Sequence, residues 1–143
     1  MRKIGACAAL VAALALPATA SAEKVKLEGT VTDVPSSKVK VGVKKKHGEI
    51  RKITSMKFRK VPVTCSDGSS GAINGNLPLF PVRGNDFTRK AKIRGTGIES
   101  GFVKVAGKFR RGGKVVKGTV RFSFKSESGA GCGTDEQAFK ATK

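Results

Sequence analysis

Apolar residues in this chain recur at every second position, and lysine or arginine fills most of the positions between them. Val25 and Leu27 alternate with Lys24, Lys26 and Glu28, and Val39, Val41 and Val43 alternate with Lys38, Lys40 and Lys44. Phe87, Ala91 and Ile93 share one phase while Thr88, Lys90, Lys92 and Arg94 take the other. Val103, Val105 and Phe109 alternate with Lys104, Lys108 and Arg110. Val116, Val120, Phe122 and Phe124 alternate with Lys117, Arg121 and Lys125, and Phe139 and Ala141 with Ala138, Lys140 and Thr142. A strand turns successive side chains to opposite faces, so this period marks strands with one dry and one wet face. No helical apolar stripe competes with it beyond residue 22.

Turn chemistry falls between the runs. Val34-Pro35-Ser36-Ser37, Lys46-His47-Gly48, Asp67-Gly68-Ser69-Ser70-Gly71, Gly84-Asn85-Asp86, Ser100-Gly101, Arg111-Gly112-Gly113-Lys114 and Ser128-Gly129-Ala130-Gly131 read as turns. Segment 72–83, with Pro78 and Pro81, reads as a partly ordered connection. One run changes phase: Met56 and Phe58 lie on one parity, and Val61, Val63 and Cys65 on the other, with Pro62 just after the switch. Proline cannot donate to a ladder, so a bulge or an edge is expected there. About eight short strands at hairpin spacing predict an all-β fold, a single antiparallel β-barrel or small β-sandwich.

Residues 1–22 read as a signal peptide. Arg2 and Lys3 precede an apolar run from Ile4 to Leu16, Pro17 ends it, and Ala20-Ser21-Ala22 supplies a small-residue cleavage site. The run is shorter than the roughly 20 residues a membrane helix needs. Ile4-Gly5-Ala6-Cys7 has some likeness to a lipid-attachment box, but it precedes most of the apolar run, so Cys7 is expected to leave with the leader. A secreted, extracytoplasmic single domain over residues 23–143 follows. Two of the cations leave with the leader, so the full-length charge of +19 becomes +17 for that domain. About a third of its residues are apolar, close to the composition of disordered chains; order needs further support.

Cysteine supplies some. Cys65 and Cys132 are the two that remain, and in an exported chain one disulfide is their only intramolecular pairing. A redox pair would call for a C-x-x-C spacing or a nearby histidine to lower a thiol pKa, and the sequence offers neither.

Several segments are similar to a class of small exported bacterial β-domains built around two cysteines. They are Cys65-Ser66-Asp67-Gly68, Gly107-Lys108-Phe109, Lys117-Gly118-Thr119-Val120-Arg121, Cys132-Gly133-Thr134 and Phe139-Lys140-Ala141. Phe139 departs from the pattern, since relatives in this class often carry tryptophan there. The resemblance implies the Cys65–Cys132 bridge, no established activity, and no catalytic residue to carry over.

A search for catalytic chemistry finds little. His47, the single histidine, lies in a lysine-rich turn and reads as solvated. Asp67 and Asp135 each follow a cysteine, so the bridge would draw them together; their plain role is to bond turn backbone. Gly95-Thr96-Gly97 opens no helix, which removes a phosphate-loop reading. No metal ligand set, cofactor or enzyme activity is expected.

The basic strand phase is the positive signal. Lys38, Lys40, Lys57, Arg59, Lys90, Lys92, Arg94, Lys104, Lys108, Arg110, Lys117, Arg121 and Lys125 are expected on the outer surface as a polyanion-binding face. The partners this fits are an anionic envelope polymer, anionic lipid headgroups or extracellular nucleic acid bound without sequence preference. No recognition module is visible, and without Trp or Tyr only phenylalanine could stack on bases. The plain alternative is a solvated surface whose lysines block strand addition. A further alternative is a barrel that holds a small apolar ligand among its eight phenylalanines. A rigid exposed loop between Asp67 and Pro81 would suit a protease inhibitor, with no other support.

Overall fold

The computed structural model describes residues 22–143. The segment expected to be a signal peptide, apart from Ala22, lies outside the described residues, and Cys7 with it. Ten strands follow in order: β1 (Glu23–Val31), β2 (Val34–Lys46), β3 (Glu49–Cys65), β4 (Ser70–Leu77), β5 (Phe80–Pro81), β6 (Asp86–Lys92), β7 (Ile98–Arg110), β8 (Val115–Ser126), β9 (Gly131–Gly133) and β10 (Gln137–Thr142). All pairings are antiparallel. Eight of the strands have six or more residues, and β5 and β9 are short additions. Pairing runs β10-β1-β2-β3-β9-β8, and β8 returns to β10, which closes a six-stranded barrel. β7 and β6 extend the sheet beyond β8, while β4 and β5 extend it beyond β3.

Alternation sets which residues turn inward. Val25, Leu27, Val39, Val41, Val43, Val103, Val105, Phe109, Val116, Val120, Phe122, Phe139 and Ala141 are all buried. Phe58 meets Phe122 and Phe139 edge-on, and Phe87 contacts Phe80 and Phe109. Such aromatic pairs add about 0.5–1.5 kcal/mol beyond their area. These six rings belong to one contiguous apolar core.

Glycine makes room for the rings. Phe87 lies opposite Gly107, Phe58 opposite Gly75, and Phe139 opposite Gly118. A Cβ on Gly118 would stand 2.2 Å from the Ala106 carbonyl oxygen and 2.9 Å from the Phe139 ring. One on Gly107 would stand 2.5 Å from the Phe87 ring. A glycine inside a strand here marks close approach, not a turn. Ser100-Gly101, expected as a turn, is likewise inside β7, because Gly101 faces the Phe124 backbone at a distance no side chain permits.

Two other expectations, one turn and one connection, shift. Val34 to Ser37 belong to β2; the chain reverses at Thr32-Asp33, with Asp33 at φ 63°, so that Val31 pairs with Val34. Ser37 is fully buried, and its hydroxyl accepts from the Val31 N–H at 2.8 Å and donates to the Val34 carbonyl at 2.6 Å. The hydroxyl thereby satisfies backbone groups where the β1–β2 register slips. Segment 72–83 also has more order than expected, since β4 and β5 both pair with β3. The turns at His47-Gly48 and Arg111-Gly112-Gly113 stand where expected, with positive φ at each residue.

The phase break in β3 is a bulge between Phe58 and Val61. Lys60 takes φ 54°, and its N–H donates to the Asn74 side chain at 3.0 Å. Pro62 lies past the end of the β2 ladder, whose last pair here is Lys38 with Arg59, so its missing N–H leaves that ladder intact.

Cys65 and Cys132 form the disulfide, directly opposite each other on β3 and β9 with Cα atoms 4.0 Å apart. The adjacent Ser66 N–H donates to the Gly131 carbonyl at 2.8 Å. The cysteines therefore occupy a non-hydrogen-bonded pair, where side chains come closest. β3 and β9 share two residue pairs, which makes this the thinnest seam of the barrel, and the bridge fastens it.

Candidate cationic surface

The outward positions of neighbouring strands stand in register, which gathers the cations into rows. Lys90, Lys104 and Arg121 form one row across β6, β7 and β8. Lys108, Lys117 and Lys140 form a second across β7, β8 and β10. The two rows are four residues apart along β7 and β8, about 13 Å at the rise of a strand. On the far side, Lys40 faces Lys57, Lys38 faces Arg59, and Lys44 stands between Lys24 and Lys52. Cross-strand neighbours have Cβ atoms about 5 Å apart, and like charges so placed destabilise a sheet.

Twelve of the thirteen expected basic residues are exposed, and Arg59 is half-buried. Three of them have a carboxylate partner: Lys40 with Glu28 at 3.6 Å, Lys108 with Asp86 at 3.7 Å, and Lys125 with Glu99 at 3.4 Å. All three pairs are open to solvent and contribute about 0–1 kcal/mol each. Among the described residues no ion pair reaches either end of the Lys90–Lys104–Arg121 row or its centre. Arg110 and Lys38 are exposed on separate strands, outside both triple rows.

Sequence reasoning missed three contributors. Lys140 completes the second row, although its strand was recognised. Arg89 shares the inward parity of Phe87 and Ala91 yet is exposed. Phe102 lies on the outward phase of β7, and the Lys90 ammonium sits 4.0 Å from its ring centre, a cation–π contact of about 0.5–1 kcal/mol at an exposed site. Its parity, shared with Lys104, was the available signal.

Concavities lie on the outside of the barrel. A trough of about 580 Å³ runs beside β4 and is lined by Arg59, Asn74, Asn76, Arg94, Thr96 and Phe124, among others. A smaller one of about 250 Å³ continues it between β4 and the end of β6, sharing Asn74, Asn76 and Arg94 and adding Lys92. The structure thus brings Arg59, Lys92 and Arg94 together, from three separate stretches of sequence. A shallow depression of about 640 Å³ lies over Phe102, with Lys90, Lys92 and Lys125 around it.

The residues weighed for catalysis take structural places. His47 is exposed at the tip of the β2–β3 turn. Asp67 accepts from the Ser69 hydroxyl and from the Ser69 N–H at 2.9 Å, and these bonds hold its carboxyl below the usual aspartate range. Asp135 is exposed between β9 and β10. Among the described residues no three His, Cys, Asp or Glu side chains gather to hold a metal ion, and no helix is long and apolar enough to cross a membrane. Compared with known proteins, the chain matches no family model, no curated protein and no solved structure.

Proposed function

We propose that this chain is an exported, non-enzymatic β-domain whose cationic outer face holds an anionic polymer of the cell envelope. The observation that carries this reading is the register of the cations. Lys90–Lys104–Arg121 and Lys108–Lys117–Lys140 place like charges side by side across three strands each. That arrangement weakens the sheet, and a bridging polyanion removes the repulsion while releasing its own counterions. A surface shaped for solubility alone would favour mixed signs.

The disulfide supports an oxidising compartment, since such bonds persist mainly outside the cytosol. Six of the eight phenylalanines expected to line a cavity pack against one another in the core, which supports a surface role over ligand capture. The test is retention on an immobilised phosphate polymer and on a neutral matrix at two salt concentrations. Retention on the charged matrix that weakens steeply with salt is expected; equal retention on both matrices would refute the reading.

A further inference from the structure

We infer that the trough beside β4 is the seat of one phosphodiester segment of a polyol or sugar phosphate polymer. This rests on the polyanion reading and adds a specific site to it.

The trough has an unusual combination of groups. Its lining brings two arginines, Arg59 and Arg94, together with Asn74, Asn76 and Thr96, and includes no Asp or Glu. Lys92 joins them where the trough continues. Arg59 is held in place: its Nη1 donates to the Asn76 Oδ1 at 3.0 Å and to the Phe58 carbonyl at 3.2 Å. Both bonds use Nη1, so Nε and Nη2 remain for a ligand. A guanidinium with two donors free in one plane suits a phosphate better than a point charge does. Arg94 is exposed and belongs to no ion pair of the described residues.

The fold explains why the trough exists. β4 pairs with β3 and β6 pairs with β7, but β4 and β6 do not pair with each other. The bulge at Lys60, tied to Asn74, sets the β4 edge at this point. The trough opens between β4 and segment 94–98, which leads from β6 to β7; an extended chain suits such an opening, whereas the flat surface of a bilayer does not enter. Single-stranded nucleic acid is bound through exposed aromatic platforms, and the one ring in this lining is the half-buried Phe124. Carboxamides and a hydroxyl instead match the free hydroxyls of a polyol.

The experiment measures affinity for poly(glycerol phosphate) in about 0.5 M salt, where screening within about 4 Å suppresses the diffuse surface charge. Arg94→Ala is expected to weaken binding about tenfold, the loss of charge-assisted hydrogen bonds. Arg121→Ala, a charge-matched change in the row on β8, should weaken it no more than about twofold at that salt. Arg59→Lys retains the charge but loses the planar fork, and should also weaken binding; a thermal melt checks each variant for folding. Equal losses in Arg94→Ala and Arg121→Ala would overturn the trough and leave the polyanion reading standing. Failure of the unaltered protein to bind at low salt as well would overturn both. Equally tight binding of polyglutamate or oligodeoxythymidylate would overturn the polyol phosphate assignment.

Discussion

Replacing both Cys65 and Cys132 with alanine should destabilise the domain by about 4 kcal/mol. The bridge spans a sequence separation of 67 residues, and the loop-closure relation for that length gives about 4 kcal/mol of unfolded-state entropy removed. Domains of ordinary stability have roughly 5–15 kcal/mol in total, so the loss is a large fraction. At a urea m-value near 2 kcal/mol/M, the midpoint should fall by about 2 M. The seam adds a local signature. β9 contributes two residue pairs to β3 and three to β8, so little besides the bridge holds β3 to β9. Hydrogen exchange should therefore lose protection first at the Ser66 N–H, bonded to Gly131, while β1–β2 amides hold longer. A midpoint shift equivalent to under about 1 kcal/mol would refute the argument that the bridge fastens a weak closure.

Gly118→Ala should destabilise by about 1–3 kcal/mol in thermal denaturation, because its methyl would press on the Ala106 carbonyl and the Phe139 ring. Ser37→Ala should cost about 1–3 kcal/mol, since it strands the buried Val31 N–H, and chemical denaturation reads the loss. By NMR titration the Asp67 carboxyl should titrate below its ordinary value of 3.8, and Ser69→Ala should bring it back up. With its folded pKa depressed, any contribution of Asp67 to stability is present above the ordinary value and lost as pH falls through the folded one.

The alternation made most of the fold legible. Val39 to Val43 and Val116 to Phe122 named their own buried faces, and the parity switch before Pro62 marked the bulge that the structure places at Lys60. Glycine was the main source of error. Gly101 reads as a turn until the strand opposite is known, since the Phe124 backbone that excludes a side chain is distant in sequence. Pro35 and the serines after it similarly suggested a turn, because nothing local shows that Ser37 is buried beneath Val31. The basic face was legible from parity, but its rows depend on register: Lys140 joins Lys117 through pairing between β8 and β10. The trough was not legible, because Arg59, Asn74 and Arg94 meet only through the unpaired edge of β4.

The most direct test of the cationic face is the dependence of polymer affinity on salt. Plotted as log K against log salt concentration, binding to poly(glycerol phosphate) should fall along a straight line whose slope counts the phosphates neutralised. Lys104→Ala combined with Arg121→Ala removes adjacent members of one row and should make that slope shallower by about two, one for each cation. A slope near zero in the unaltered protein, or an unchanged slope in the double variant, would contradict the account.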